Sequence, residues 1–239
     1  MREKIFIRTL CCLFVAAATC GTLMAQGGRT VQGSGKQIVL PHSPVVIPYR
    51  DDDTDSPDVM IVIAKNLGPA GNTYATDNGW LVTGSTDVTF GGPDSVGVKF
   101  TPTVNCHATK LSAAIGYIEG TKKVRLGIYN ESTTVPGAVG TLIMDGSTTV
   151  IPNFGTCCVL TKVTLPAPGA ALTAGTHYFL VATSDASATD FGGAWAYIPP
   201  AGPVAGAGFG QSFNSAATGN VYDAEWTYYA VYQVQGTNP

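Results

Sequence analysis

Aromatic residues are the side chains of this sequence best suited to bind a ligand. A ring face can stack on a sugar while nearby polar side chains bind its hydroxyl groups. The same rings can instead fill the core, where large aromatic side chains bury much surface. We predict that Trp80 packs in the core. Trp195, Tyr197 and Trp226 flank a long segment rich in Gly and Pro, and we predict that they bind a ligand, with core packing as the alternative.

Cysteine is the second residue type that could do chemistry. Cys106, Cys157 and Cys158 lie in the part of the chain that we expect to be exported, where thiols form disulfides. We predict a bridge between Cys106 and Cys157, with Cys158 as the alternative partner. It would close about fifty residues and add on the order of 4 kcal/mol of stability. A disulfide between Cys157 and Cys158 is a further alternative. Zinc binding is not expected, because adjacent side chains of an extended chain point in opposite directions.

Acidic residues could bind a metal or catalyse hydrolysis. Five aspartates lie close together in one stretch of eight residues: Asp51, Asp52, Asp53, Asp55 and Asp58. Clustered carboxylates suit calcium, but this stretch lacks the Gly and the final Glu of an EF-hand loop. We interpret it as a solvated linker and predict no metal site. Asp223 and Glu225 could face one way on a strand, yet glycoside hydrolysis needs two acids across a cleft.

Histidine offers no stronger case for catalysis. A triad could be assembled from His177, Asp185 and one of many serines, but the sequence has no Gly-x-Ser-x-Gly motif. We interpret His177 as a residue at the edge of a strand. The sequence therefore predicts no catalytic residue and no cofactor.

Short alternating strands must position these side chains. The segment from Lys123 to Asn130 alternates and places Val124, Leu126 and Ile128 on one face. Further strands, separated by Gly and Pro turns, are predicted at 59–64, 79–83, 87–90, 96–101, 109–118, 139–145, 158–165, 176–183, 194–198 and 226–235. We predict an all-β fold, an antiparallel jelly-roll-like β-sandwich in a single domain. The first of these segments, apolar on both faces, is expected to be a central strand, and residues 199–220 a long surface loop.

The N-terminal region has the layout of a secretory signal peptide. Basic residues precede the apolar stretch 10–18, and a short segment then leads to Ala25. The stretch is shorter than the roughly 20 residues that span a bilayer. We predict a signal peptide over 1–25, with lipid attachment at Cys20 as an alternative.

Two further regions follow the predicted signal peptide. Residues 26–58 are rich in Gly, Pro and Asp, which predicts a flexible arm or an extended segment laid along the domain. Residues 59–239 form the predicted sandwich domain.

Charge excludes some classes of partner. The chain has 13 basic and 16 acidic residues and a net charge of −3. Nucleic-acid binding needs clustered Lys and Arg, so no nucleic-acid partner is expected. No membrane span is predicted after the signal peptide. An extracellular polysaccharide is the partner that the aromatic residues suggest.

Several short motifs occur in a defined order along the chain. They lie at 66–74, 78–80, 98–102, 126–130, 135–137 and 172–179, followed by Trp195 and a final strand over 229–236. This order resembles the choice-of-anchor group of bacterial exported β-sandwich domains. The resemblance implies an exported bacterial protein whose domain, over roughly 59–236, is noncatalytic. The anchored members end in a hydrophobic tail, and this sequence ends at Gln235-Gly-Thr-Asn-Pro239. We therefore expect a secreted, periplasmic or cell-surface protein without a C-terminal anchor.

The sequence thus predicts a noncatalytic secreted β-sandwich protein that binds extracellular glycan or mediates surface adhesion. A purely structural module of the envelope or matrix is the alternative, and an extracellular hydrolase is a weaker one. An exposed Trp or Tyr platform would favour glycan binding. Buried aromatic residues would favour the structural module.

Overall fold

The computed structural model describes residues 30–32, 37–39, 47–48, 60–67, 73–74, 78–134, 137–156, 159–198, 210–214 and 229–239. Within these ranges the chain forms β-strands and no helix. The strands are β1 (Thr30–Gln32), β2 (Gln37–Val39), β3 (Ile47–Pro48), β4 (Ile61–Lys65), β5 (Thr73–Tyr74), β6 (Asn78–Thr83), β7 (Asp94–Phe100), β8 (Cys106–Ala113), β9 (Ile115–Glu119), β10 (Val124–Glu131), β11 (Val139–Thr148), β12 (Thr161–Thr164), β13 (Ala170–Leu172), β14 (Tyr178–Ser184), β15 (Gly192–Ile198), β16 (Gly210–Asn214), β17 (Tyr229–Ala230) and β18 (Tyr232–Thr237).

Most of the strands form one large antiparallel sheet. Its main order is β1-β2-β6-β7-β14-β10-β11. Strand β15 pairs with β6 on one side and with β9 on the other, and β16 pairs with β7. The small sheet has the order β12-β8-β18-β4, with β13 also paired to β8. Strands β3 and β5 form a separate two-stranded pair.

The core lies between the two sheets. Successive side chains of a strand point to opposite faces of its sheet, so alternating apolar residues face the space between the sheets and the residues between them face outwards. The large sheet contributes buried residues such as Val96, Val98, Leu126, Ile128 and Leu180, and the small sheet contributes Leu111, Val163, Tyr232 and Val234. The prediction of an all-β sandwich in a single domain is therefore confirmed.

Asn66 and Trp195 form side-chain hydrogen bonds to the backbone at the junction between β17 and β18. Asn66 donates from Nδ2 to the carbonyl of Ala230 at 2.6 Å and accepts at Oδ1 from the backbone N–H of Tyr232 at 2.8 Å. Trp195 donates from Nε1 to the carbonyl of Val231 at 2.7 Å. These side chains satisfy buried backbone groups between β17 and β18, which would otherwise destabilise the junction.

Several local predictions are corrected. Strand β4 is an edge strand, since it pairs with β18 alone among the described residues, and Val62 on it is 46% exposed. Residues 87–90 form a turn and not a strand, because the Asp87 carboxylate accepts from the N–H groups of Thr89 and Phe90 at 2.9 and 2.8 Å. The predicted loop 199–220 contains β16, which pairs along β7. Within the predicted arm, β2 pairs with β6, but most of residues 26–58 lies outside the described residues, so the flexible arm and the extended segment both stay predictions.

Candidate functional site

Trp195 and Tyr197, two of the three predicted ligand-binding residues, are buried in the core. Their exposed fractions are 0% and 5%. Tyr197 packs against Trp80, with ring centroids 5.8 Å apart. Trp195 lies opposite Trp80 in the β15–β6 ladder and opposite Ile115 in the β15–β9 ladder. Neither ring has a face open to a sugar, so their predicted role as a surface platform is wrong, and core packing, the alternative, is correct.

The remaining aromatic predictions have different outcomes. Trp80 is 1% exposed, which confirms its assignment to the core. Trp226 lies outside the described residues, so its role in ligand binding stays a prediction.

Cys106 is a buried free cysteine at the start of β8. Burial raises the pKa of its thiol, which disfavours the reactive thiolate. No disulfide is seen in the described part of the chain. Cys157 and Cys158 lie outside that part, so the predicted bridge from Cys106 to Cys157 stays a prediction.

The candidate catalytic and metal-binding residues do not come together in the described part of the chain. His177 and Asp185 stand at opposite ends of β14, whose seven residues separate them by roughly 25 Å. His177 Nδ1 is 2.7 Å from the Thr101 hydroxyl, and Asp185 bonds to the hydroxyls of Ser147 and Ser187. No group of three potential metal ligands occurs among the described residues. The aspartates of segment 51–58, Asp223 and Glu225 all lie outside them.

Asp185 instead fixes the turn that follows β14. Hydrogen bonds from Ser147 and Ser187, together with Lys123 Nζ at 3.1 Å, hold the pKa of its carboxyl well below the ordinary value. This arrangement joins β11, β14 and the turn before β10, and it suits a structural role.

The outer face of the large sheet carries the most complete set of binding groups. Strands β7, β14, β10 and β11 lie side by side there. Register aligns one row across them: Lys99, Phe179, Tyr129 and Leu142. The next row consists of Gly97, Val181, Gly127 and Asp145. We call this surface, with Arg125, Thr183 and Glu131, the Tyr129 face.

Gly127 gives the Tyr129 ring its place on this face. A Cβ atom at Gly127 would lie 3.0 Å from Cε2 of Tyr129 and 3.0 Å from Cδ1 of Leu142. Both side chains therefore lean across the glycine, which has no side chain to exclude them. The ring extends along β10 towards Arg125, two positions beyond Gly127 on the same face.

An ion pair lies next to the ring. Arg125 Nη1 is 3.1 Å from Asp145 Oδ2, and Arg125 Nε donates to the Thr183 hydroxyl at 3.3 Å. The Arg125 and Asp145 side chains are 35% and 30% exposed. Burial raises the pKa of the Tyr129 hydroxyl, with smaller opposing effects of Arg125 and Asp145. The face thus combines an aromatic ring with accessible hydrogen-bonding groups of both charges.

A second ion pair lies on the same face, beside Phe179. Lys99 Nζ is 2.7 Å from Glu131 Oε1, which also accepts the backbone N–H of Gly137 at 2.7 Å. Burial opposes ionisation of Glu131, but these hydrogen bonds outweigh it and keep the pKa of the carboxyl below its ordinary value. Lys99 Nζ also lies 5.8 Å from the centroid of the Phe179 ring, within cation–π range.

The sequence contained one signal for this face that the ligand prediction did not use. The alternation that places Val124, Leu126 and Ile128 in the core also places Arg125, Gly127 and Tyr129 together on the opposite face. The partners Asp145 and Thr183 come from β11 and β14, and their proximity depends on strand order.

A shallow pocket of about 220 Å³, including space open to solvent, lies between β9 and residues 152–156. No ionisable side chain lines it, so it offers no acid, base or charged ligand group. Among the described residues, no helix is long and apolar enough to cross a bilayer.

No protein-family model matches the chain, and no curated protein matches it. The resemblance to choice-of-anchor domains therefore stays a prediction.

Proposed function

We propose that this chain is a noncatalytic, exported β-sandwich protein that binds extracellular glycan, or mediates adhesion to it, through the Tyr129 face. The observation that carries the proposal is the Tyr129 ring lying across Gly127 next to the partly exposed Arg125–Asp145 pair. The predicted signal peptide over 1–25 supports export to the bacterial periplasm, cell surface or medium.

The chemistry of the face suits a sugar ring. An aromatic face stacks on the apolar C–H side of a sugar, and charged hydrogen-bonding groups at its edge bind hydroxyls in defined directions. Asp145 supplies acceptors and Arg125 supplies donors. Their mutual ion pair and the bond to Thr183 fix both side chains before a ligand arrives, which lowers the entropic cost of binding.

Binding of the full chain to a glycan array and to soluble polysaccharides tests the proposal. Tyr129→Ala removes the ring and should weaken binding about tenfold or more, as the loss of a central aromatic contact does. Tyr129→Phe keeps the ring and should retain most of the affinity. Lys122→Ala, in the exposed turn between β9 and β10, is the control and should bind as the parent chain does.

Two results would contradict the proposal. One is the absence of binding to any glycan by the parent chain. The other is equal binding by the parent chain and Tyr129→Ala, once both are shown to be folded by circular dichroism.

The burial of Trp80 and Trp195 favours a second candidate, a purely structural module of the envelope or matrix. Both rings are used within the sandwich, and a structural module needs no ring free for a ligand. This candidate predicts association of the chain with an isolated cell-envelope fraction that Tyr129→Ala leaves unchanged. Glycan binding predicts that the same substitution weakens the association about tenfold or more.

A further inference from the structure

A row of residues with an acid at each end crosses the large sheet where β7, β6, β15 and β9 lie side by side. Register aligns Asp94, Thr83, Gly192 and Glu119 on these four strands. Residues in register on neighbouring strands share a face of the sheet, with about 4.8 Å between strands. Gly192 therefore leaves a position without a side chain between Thr83 and Glu119.

Asp87, in the turn between β6 and β7, places its carboxylate over Gly192. A Cβ atom at Gly192 would lie 2.8 Å from Asp87 Oδ2 and 3.0 Å from Glu119 Cγ. The same atom would lie 3.6 Å from Cδ2 of Phe90. Asp87 Oδ2 and the Glu119 side chain thus border one space, which exists because residue 192 has no side chain.

The two oxygens of the Asp87 carboxylate have different surroundings. Oδ1 accepts from the N–H groups of Thr89 and Phe90 at 2.9 and 2.8 Å. Oδ2 is buried and has no hydrogen-bond partner in the part of the chain that the structure describes. Asp87 as a whole is only 7% exposed. A buried carboxylate oxygen without a partner is costly, so Oδ2 calls for a positively charged group.

The charged residues that act on Asp87 are acids. Burial raises the pKa of Asp87, and the neighbouring Glu119 and Asp94 raise it further, against the opposing hydrogen bonds from Phe90 and Thr89. Neither Asp87 nor Glu119 takes part in an ion pair among the described residues. The described ion pairs thus leave both carboxylates without a cationic partner.

We propose that Asp87 and Glu119 bind one Ca²⁺ ion in the space over Gly192. Asp87 Oδ2 is a fixed ligand, because the hydrogen bonds to Oδ1 hold its carboxylate. Glu119 is half-buried, and its carboxylate lies one bond beyond Cγ, so it reaches the space by rotation of the side chain. Ca²⁺ takes about six to eight oxygen ligands in flexible geometry, and water that enters beside Glu119 supplies the remainder. The proposal is independent of the Tyr129 face.

The arrangement favours Ca²⁺ over Mg²⁺. Mg²⁺ needs near-ideal octahedral geometry and gives up its water reluctantly, whereas the buried Oδ2 can be reached only by an ion that loses part of its hydration shell. The described residues add no third His, Cys, Asp or Glu ligand. A small number of charged ligands gives weak affinity, with a Kd on the order of 10⁻⁴–10⁻³ M, as in extracellular modules.

Calorimetric titration of the full chain with CaCl₂, after treatment with EDTA, tests the site. The parent chain should bind Ca²⁺ in that range and MgCl₂ more weakly. Asp87→Asn and Glu119→Gln should each lose at least about tenfold in affinity, since even residues that only orient metal ligands cause such a loss. Asp190→Asn is the control, because Asp190 is exposed and accepts the N–H of Thr121 at 3.0 Å. It should bind Ca²⁺ as the parent chain does.

Two outcomes of this titration would overturn the proposal. One is the absence of Ca²⁺ binding by the parent chain. The other is equal binding by the parent chain and Asp87→Asn, which would assign the ion to other carboxylates, such as those of segment 51–58.

Thermal unfolding separates loss of the ion from loss of the fold. Without Ca²⁺, Asp87→Asn should be at least as stable as the parent chain, because it removes a buried charge beside Glu119 and keeps the Oδ1 acceptor of the turn. With Ca²⁺ at about ten times its Kd, the ratio of folded to unfolded parent chain should rise about tenfold, and that of Asp87→Asn should not change. An equal rise in both chains would contradict the proposal.

Gly192→Ala tests the place of the ion. The substitution keeps both carboxylates and puts a methyl group 2.8 Å from Asp87 Oδ2, so the space is filled. We expect this variant to fold, as circular dichroism would show, and to gain no stability from Ca²⁺. A gain equal to that of the parent chain would mean that the ion does not lie over Gly192.

Discussion

The two outer faces of the sandwich use charge differently. On the outer face of the large sheet two described ion pairs join different strands: Lys99 of β7 reaches Glu131 of β10 across β14 at 2.7 Å, and Arg125 of β10 pairs with Asp145 of the neighbouring β11 at 3.1 Å. On the small sheet the strands supply lysines and glutamines but no carboxylate. The acidic partners of the Tyr129 face thus come from its own strands, whereas the strands of the small sheet contain no acidic residue.

Side chains that point outwards are buried on both faces, but their surroundings differ. Phe179 points outwards from the large sheet and is 2% exposed, because it packs with Val139, Val181 and Tyr129 and lies beneath Lys99. Gln233 points outwards from the small sheet and is 1% exposed without a described hydrogen-bond partner. An outward apolar side chain can be covered by its neighbours on the sheet, but a buried amide also needs hydrogen bonds. The neighbours of Phe179 account for its burial, whereas the described residues give the buried Gln233 amide no hydrogen bond.

Among the substitutions that test this comparison, Phe179→Ala should lower the free energy of unfolding most. It removes a buried ring from the Tyr129 face and leaves a cavity, so we expect a loss of about 3 kcal/mol in the free energy of unfolding. Urea unfolding followed by tryptophan fluorescence measures it. Val181→Ala, which removes less volume from the same cluster, should cost less. A loss below that of Val181→Ala would mean that the outer cluster is not packed.

Glu131→Gln tests whether the large-sheet ion pairs matter. The pKa of Glu131 is lower in the folded chain than in the unfolded chain, so its contribution is present above the unfolded pKa and is lost as pH falls through the folded pKa. We expect the variant to be less stable by about 1 kcal/mol at pH 7. The difference from the parent chain should vanish in acid, where Glu131 is protonated. A difference that does not depend on pH would assign the effect to packing.

Gln233→Met should have the smallest effect, and its sign decides whether the buried amide has a partner. Neither amide atom of Gln233 has a hydrogen-bond partner in the described part of the chain, so an apolar side chain of similar size should leave the free energy of unfolding unchanged or raise it by up to about 1 kcal/mol. Chemical denaturation of the variant and the parent chain measures the difference. A loss of stability on the order of 1 kcal/mol would mean that the amide makes a hydrogen bond.

Strand segments could be predicted where alternation was strong. Residues 123–130 and 176–183 were predicted as strands, and the structure has β10 at Val124–Glu131 and β14 at Tyr178–Ser184. The prediction failed at 87–90, where Val88 is 94% exposed in a turn closed by the Asp87 carboxylate. Short apolar segments near Asp and Gly satisfy the strand pattern and the turn pattern equally well, because the choice depends on a side-chain hydrogen bond.

The candidate site was less predictable than the fold. Trp195 and Tyr197 were assigned to a ligand from their place beside a Gly-rich segment. Pairing of β15 with both β6 and β9 instead placed their rings within the sandwich. The Tyr129 face depends on Tyr129 and Asp145 being neighbours through β10–β11 pairing, and on β14 lying beside β10. Strand order of this kind is set by contacts between residues far apart in sequence.

The sequence by itself determined that this protein is an all-β sandwich and which residues of each strong strand share a face, because side chains alternate with a period of two. Only the tertiary structure decided which strands are neighbours, and therefore which outward faces are complete. Alternation places Arg125, Gly127 and Tyr129 on one face and Lys110 with Ser112 on another. The neighbouring carboxylates, rings and buried amides come from β11, β14 and β18. Burial of the common core places these strands beside β10 and β8.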